Sequence, residues 1–193
     1  MVGVALFGIS LGLVIRAGLG LAPWDVFHQG LASQLGVSIG AVIVGTSAVV
    51  LLAWIPLKER PGIGTLANGG LVGIWVNLTL DVIPDTIDSW PARIALLLIG
   101  ILINGIGSGM YIGAGLGPGP RDGLMTAIAR RGFTIRRVRT TLEISVLITG
   151  VLIGGTIGIG TVIYAAGIGP LAHIFIPIFQ RVAEPQSSRV ATG

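Results

Sequence analysis

Three ionisable side chains stand where they could do chemistry, in a chain that carries few of them. Asp25 and His28 lie three residues apart in "PWDVFHQG" (23–30), so on a helix they share a face. Such a pair can relay a proton, because imidazole changes charge near neutral pH. A lone hydrogen-bonded histidine at an interface is the plainer reading of His28. Asp122 closes a second stretch, "GLGPGPRD" (115–122), that echoes "GLGLAPWD" (18–25). In both, glycines (Gly18 and Gly20; Gly115 and Gly117) permit a turn, and a proline (Pro23; Pro120) opens a helix. The acid then falls in that helix's first turn. Its plainest use is to cap free N–H groups. Its sharper use is to bind a cation or proton and change state with it.

Other polar residues lie inside apolar runs: Asn68, Asn104, Glu143, Tyr164 and His173. Intramembrane polar groups usually face a bundle interior. Glu143 is expected to pair with Arg139 or Arg136. Arg16, near the end of an apolar run, is expected to snorkel to an interface, with a pairing to Asp25 as the alternative.

The elements that must position these residues follow from composition. The chain has 193 residues, of which 10% are charged. Its mean hydropathy is +0.92. Soluble domains carry about 25% charged residues, so an integral membrane protein of one domain is expected. There is no cysteine, which excludes disulfides and thiolate chemistry. Two histidines leave no zinc site of the usual kind. No metal or cofactor is therefore read. The pI near 10.7 reflects arginines in short loops, and no nucleic-acid partner is inferred.

Apolar runs near 1–17, 38–56, 62–83, 93–114, 139–156 and 158–179 predict six spans. The break at "GGTIGIG" (154–160) is the weakest, a single kinked helix being the alternative there. The first run lacks a basic leader and reappears later in the chain, so it is read as a retained span at a slightly truncated start. The tail 181–193 is polar and expected to fray. Segments 22–35 and 118–132 are too short and polar to span, and each is read as a short interfacial or re-entrant helix.

With six spans, Lys58, Arg60, Arg121, Arg130, Arg131, Arg136, Arg137, Arg139, Arg181 and Arg189 fall on one side and Arg16 and Arg93 on the other. Ten against two predicts that both termini are cytoplasmic. Asp81, Asp85 and Asp88 fall outside. The run "RRGFTIRRVR" (130–139) brings Arg130, Arg131, Arg136, Arg137 and Arg139 to the cytoplasmic surface, where anionic lipid headgroups are the expected partner.

Residues 8–25 and 105–122 are identical at ten of 18 positions, and "GIGT" recurs at 62–65 and 158–161. Asn68 then aligns with Tyr164, so both are expected to line one central cavity. Self-similarity at a fixed offset marks duplicated units, here about 1–92 and 93–180. Each unit reads span, Gly-rich turn, short helix, two spans. A three-span unit duplicated in tandem enters the membrane the second time upside down, the plan of many secondary transporters. The fold expected is thus all-α, with six transmembrane helices as two inverted three-helix repeats. Most of the glycines need no more explanation than close helix packing, as in the pairs Gly8–Gly12 and Gly105–Gly109.

"GLGLAPWDVFHQGL" followed by "GLGPGPRDGLMTAI" resembles the bacterial YczE/YyaS/YitT-type integral membrane proteins, particularly the YczE-like branch. The resemblance covers nearly the whole chain. It implies a small multi-pass protein of the bacterial inner membrane, with the motif at Gly18, Gly20, Pro23 and Asp25 and at Gly115, Gly117, Pro120 and Asp122. It implies no substrate and no catalytic residue.

Three functions compete. A small secondary transporter or permease for an unknown solute or ion leads, on the inverted repeat. A non-transporting membrane subunit or regulator is the rival, with the glycines serving assembly. An enzyme is not expected, since no nucleophile–base or metal motif stands out. A homo-oligomer is compatible with either of the first two.

Overall fold

A computed structural model describes residues 1–190. The described residues form eight helices: α1 (Val2–Ala17), α2 (Pro23–Leu35), α3 (Ile39–Trp54), α4 (Ile63–Val82), α5 (Trp90–Gly113), α6 (Pro120–Ala129), α7 (Ile135–Leu152) and α8 (Ile159–Val190). The stretch expected to fray from 181 continues α8 as helix to Val190; residues 191–193 lie outside the described residues. Local sequence accounts for the ends. Gly18 stops α1 in the left-handed conformation, at φ 60°. Arg93 reinforces that stop, its Nε donating to the Ala17 carbonyl at 2.8 Å. Pro23 and Pro120 open α2 and α6, where a missing N–H costs nothing. The Ser38 hydroxyl caps α3, accepting from the Ala41 N–H. The segment 153–158 is non-helical, so α7 and α8 are separate helices.

Among the described residues, three helices are long and apolar enough to cross a membrane: α4, α5 and α8 over Ile159–Val182. The α2–α3 pair passes the same test jointly but bends by 112° at its break. The six-span expectation is thus met only in part. With 16 residues, α1 reaches about 24 Å against a hydrocarbon core of about 30 Å. Helix α7 opens on Arg136, Arg137 and Arg139 and carries Glu143, which lowers its apolar character. Large apolar side chains such as Leu66, Ile74, Leu78, Ile99, Leu102, Val162 and Ile174 face outward. That suits contact with lipid and would be a liability in water.

Packing rests on small residues, as it must where lipid removes the hydrophobic drive between helices. Helices α1 and α5 run antiparallel at the centre. Gly3 lies against Gly107 and Met110, and Gly100 against Ser10 and Val14. Midway, Asn104 Nδ2 donates to Ser10 Oγ at 2.7 Å. Helix α4 lies along α1, with Gly8 against Trp75 and Gly12 against Thr79. Helix α8 lies along α5 in the same register, with Gly105 against Leu171 and Gly109 against Phe175. These are the positions that the sequence duplication equates.

The two Gly-rich turns then cross over. The Gly160 N–H donates to the Leu19 carbonyl at 2.7 Å, and the Gly64 N–H to the Leu116 carbonyl at 2.9 Å. Each turn thus docks on the "GIGT" helix start of the other half. Gly20 (φ 114°) and Gly117 (φ 108°) make this approach possible. A side chain there would be strained by its backbone, and at Gly20 it would also overlap Gly158 and Thr161.

Candidate functional site

The crossing turns aim the first turns of α2 and α6 at each other. Trp24 is the second residue of α2 and Arg121 the second of α6. They occupy the same place in the two repeats, and they meet. The Arg121 guanidinium lies over the Trp24 ring, 5.6 Å from its centre, and over the Phe7 ring at 6.0 Å. Cation–π contact of this kind steadies a guanidinium away from bulk water.

Between them is a small cavity. Helix α2 contributes Trp24, Asp25 and His28, and α6 contributes Pro120 and Arg121. The remaining wall is Phe7 and Leu11 of α1, Ile43, Thr46, Ser47 and Val50 of α3, and Asn68 and Val72 of α4. Its volume is about 20 Å³, room for about one water molecule.

Asp25 is 2% exposed and His28 nearly as buried. The His28 Nδ1–H donates to Asp25 Oδ1 at 3.3 Å. Neighbouring Trp24 and Phe27 rings, 6.3 and 6.0 Å away, hold the imidazole. Neither aspartate caps its helix. The N-cap residues are Ala22 and Gly119, without a side-chain cap bond. Asp122 Oδ2 instead accepts from the Tyr111 hydroxyl at 3.4 Å. Trp24 and Asn68 line the cavity, and among the described residues their buried Nε1 and Nδ2 have no hydrogen-bond partner. Among the described residues no three of Asp, Glu and His gather closely enough to hold a metal ion.

Of the residues singled out in the sequence, Asp25, His28 and Asn68 come together in this cavity. Asp122 sits beside it in the first turn of α6. Asn104 is used in the Ser10 tie between α1 and α5. Tyr164 packs in the core with Val14, Ala17, Leu19 and Leu97 rather than at the cavity. Arg16 does not reach Asp25: it pairs with Asp85 and donates to the Leu80 carbonyl. Arg139 Nε pairs with Glu143 at 2.9 Å, and Arg130 Nη2 with Glu59 at 3.4 Å. Arg131, Arg136 and Arg137 are exposed. His173 is exposed on α8.

Sequence reasoning passed over Trp24, Tyr111 and Arg121. Arg121 looked like one more loop charge. A signal was present: between Pro and Asp the two motifs differ, with Trp in one and Arg in the other.

The model of a family of unknown function, DUF6198, matches residues 1–177. An uncharacterized protein of Haemophilus influenzae is 41% identical over 93% of this chain and 82% of its own. The uncharacterized membrane protein YczE of Bacillus subtilis is 34% identical over 89% of this chain and 80% of its own. The uncharacterized protein YyaS of Bacillus subtilis is 29% identical over 93% and 92%. No solved structure matches.

Proposed function

The chain belongs to the DUF6198 family, and from that premise we propose that it is a small secondary transporter or permease of the bacterial inner membrane. One observation carries the reading. Two matched halves, each interrupted by a Gly-rich turn and a short helix, bring those helices' first turns together around a buried polar cavity. Interrupted helices at corresponding positions are where such folds bind their solute. Irregular backbone at membrane depth also needs protein or water around it.

In this reading α1, α3, α4, α5, α7 and α8 cross the membrane, while α2 and α6 enter from opposite faces without crossing. The halves are related by a two-fold axis in the membrane plane. Three features support this: the antiparallel α1–α5 pair, the equal registers of α4 on α1 and of α8 on α5, and the exchanged Leu19 and Leu116 bonds. The ten-to-two distribution of basic residues puts both termini inside. Arg131, Arg136 and Arg137 then meet anionic headgroups, with Arg130 and Arg139 beside them.

A second reading, a non-transporting subunit or regulator, is favoured by the tightness of the centre, where about 20 Å³ is free. Purified protein in liposomes decides between them, with ion flux followed by an internal pH dye and a potential-sensitive dye. The transport reading expects flux above that of empty vesicles, lost in Asp25→Asn with the fold intact. A silent, folded protein that co-purifies with a stable partner would establish the rival. On intact cells, a cysteine at Ser33 should label from outside and one at Arg60 only after permeabilisation. Labelling of both from one side would remove the inverted arrangement.

A further inference from the structure

We propose that α8 pairs with α8 of a second copy of this chain, side by side and in the same sense across the membrane, through the face that carries Gly169 and His173. The inference rests on α8 crossing the bilayer and does not depend on transport.

In the first half the matching face of α4 is occupied. Gly73 and Asn77 of α4 correspond in the repeat to Gly169 and His173 of α8. Gly73 lies against Gly40 of α3 so closely that no side chain would fit between them. One turn on, Asn77 Oδ1 accepts from the Gly40 N–H at 3.0 Å, and Asn77 Nδ2 donates to Ser38 Oγ at 3.0 Å. A small residue and a polar one, four apart, thus fasten α3 to α4. The counterpart of α3 is α7, which is drawn away to α2, with Gly150 against Phe27. Helix α8 keeps the small and polar pair without that partner. It packs on α5 through Gly167, Leu171 and Phe175. On its far side, no described atom lies within 4 Å of where a side chain at Gly169 would begin, and His173 is exposed.

Lipid is a poor cover for that side. Along the helix His173 stands about 12 Å from Arg181, the first charge beyond it, and about 21 Å from Ile159. A neutral imidazole at that depth carries one N–H donor and one ring-nitrogen acceptor, and hydrocarbon satisfies neither. Ionisable residues inside a membrane face protein or water. The sequence around His173 is also that of a helix seam. Val162, Ala166, Gly169, His173, Ile176 and Gln180 recur at alternating intervals of four and three, in one stripe down α8. Ile176 is partly exposed and the other five are exposed. This heptad spacing keeps one stripe facing a neighbouring helix that runs alongside. Three features make the neighbour a second copy. Copies with one topology hold His173 at the same depth, so a parallel pair brings the two rings together. Imidazole then complements itself, one ring donating its N–H to the bare nitrogen of the other. Ala166 and Gly169, within the two turns before His173, let the backbones close on that contact. A two-fold pair of this kind is the commonest closed assembly.

The chain has no cysteine of its own, so single cysteines report the pairing in native membranes. Val162→Cys and Ala166→Cys, on the stripe, should yield a disulfide-linked dimer on mild oxidation. Leu78→Cys, outward on α4 and 48% exposed, should not. In mixed micelles, sedimentation equilibrium of the full chain should show monomer and dimer in exchange. His173→Leu should weaken the dimer by about threefold to tenfold, the loss of an interhelical hydrogen bond. His173→Gln keeps a donor and an acceptor and should restore most of that loss. Gly169→Ile should weaken the dimer by about tenfold or more, because two side chains then hold the backbones apart. Both positions face outward within one copy, so helicity and thermal unfolding of these variants should match the native chain. A native chain that stays monomeric would overturn the proposal. So would Leu78→Cys cross-linking as readily as Ala166→Cys, a cross-link from the stripe to a different protein, or a dimer indifferent to both His173→Leu and Gly169→Ile. A monomer with flux in liposomes would retire this pairing and leave the transport reading; a dimer without flux would do the reverse.

Discussion

The corners Leu19–Asp25 and Leu116–Asp122 share a backbone and differ in their surroundings. Their glycines have nearly the same angles, φ 60° and 114° in the first, 67° and 108° in the second. Each docks on the opposite half through one backbone bond of equivalent geometry, and side chains add Arg93 to the Gly18 carbonyl at the first corner and the Thr65 hydroxyl to the Pro118 carbonyl at the second. Yet Leu19 is 6% exposed and Leu116 45%. Asp25 is buried beside His28, and Asp122 is half-buried beside Tyr111. The repeat mate of His28 is Met125, and that of Tyr111 is Val14. The comparison teaches that backbone and chemistry separate. Turn and crossing serve both halves equally, whereas the polar partners occur once each. The polar cavity accordingly takes Asp25 and His28 from the first half and Pro120 and Arg121 from the second.

The same divergence is visible farther out. In the first half, α3 packs on α4 where Gly40 meets Gly73. In the second, arginines occupy the matching stretch of α7, and Gly169 of α8 faces open space. Helix α7 leans instead on α2, through Gly150 against Phe27, and Gly155 just beyond its end lies against Val26.

The comparison is broken most forcefully at the glycines. Gly20→Ala places a methyl group on a left-handed backbone and against Gly158 and Thr161. A loss of about 3–4 kcal/mol is expected from strain and overlap together. Gly117→Ala has the same strain but meets the Thr65 hydroxyl at 2.8 Å and Gly62 Cα at 3.3 Å, in a turn exposed enough to yield. Its expected loss is about 1–2 kcal/mol. Reversible unfolding in mixed micelles measures both, and equal losses would show that burial does not distinguish the corners.

The aspartates sharpen it at a smaller scale. A double-mutant cycle between Asp25→Asn and His28→Leu should return a coupling of about 1–2 kcal/mol, as for a hydrogen bond to a charged group. The matching cycle between Asp122→Asn and Tyr111→Phe should return about 0.5 kcal/mol, since that contact is longer and less buried. A larger coupling at Asp122 would reverse the assignment of the dominant corner. Smallest is Tyr111→Phe alone. The ring keeps its edge-on contact with Phe7 (5.9 Å between centres, 87° between planes) and loses one long hydrogen bond. About 0.5 kcal/mol is expected, and a loss above about 2 kcal/mol would mean that the hydroxyl has a structural part not seen in the contact.

Much of this was determined by the sequence alone. Low charge and high hydropathy made an apolar helical chain the only economical reading. Glycine and proline act locally, so the turns at 18–22 and 115–119 and the helix starts at Pro23 and Pro120 were legible without neighbours, whereas the break before Ile159 left a single kinked helix open. The repeat was legible because identity needs no geometry, and Asp25–His28 because i, i+3 residues share a helix face. Span lengths were less so: α1 and α7 fall short where a cap glycine ends one and a basic first turn opens the other. What only the tertiary structure decided are the meetings between residues far apart in the chain. No local rule sends the Leu19 turn to Gly160 and the Leu116 turn to Gly64, sets Arg121 on the face of Trp24, or puts Asn68 at the cavity while Asn104 ties two helices and Tyr164 enters the core. Those outcomes depend on how two copies of one unit pack against each other, and that packing is set by shape and small residues spread over many helix turns, not by any motif.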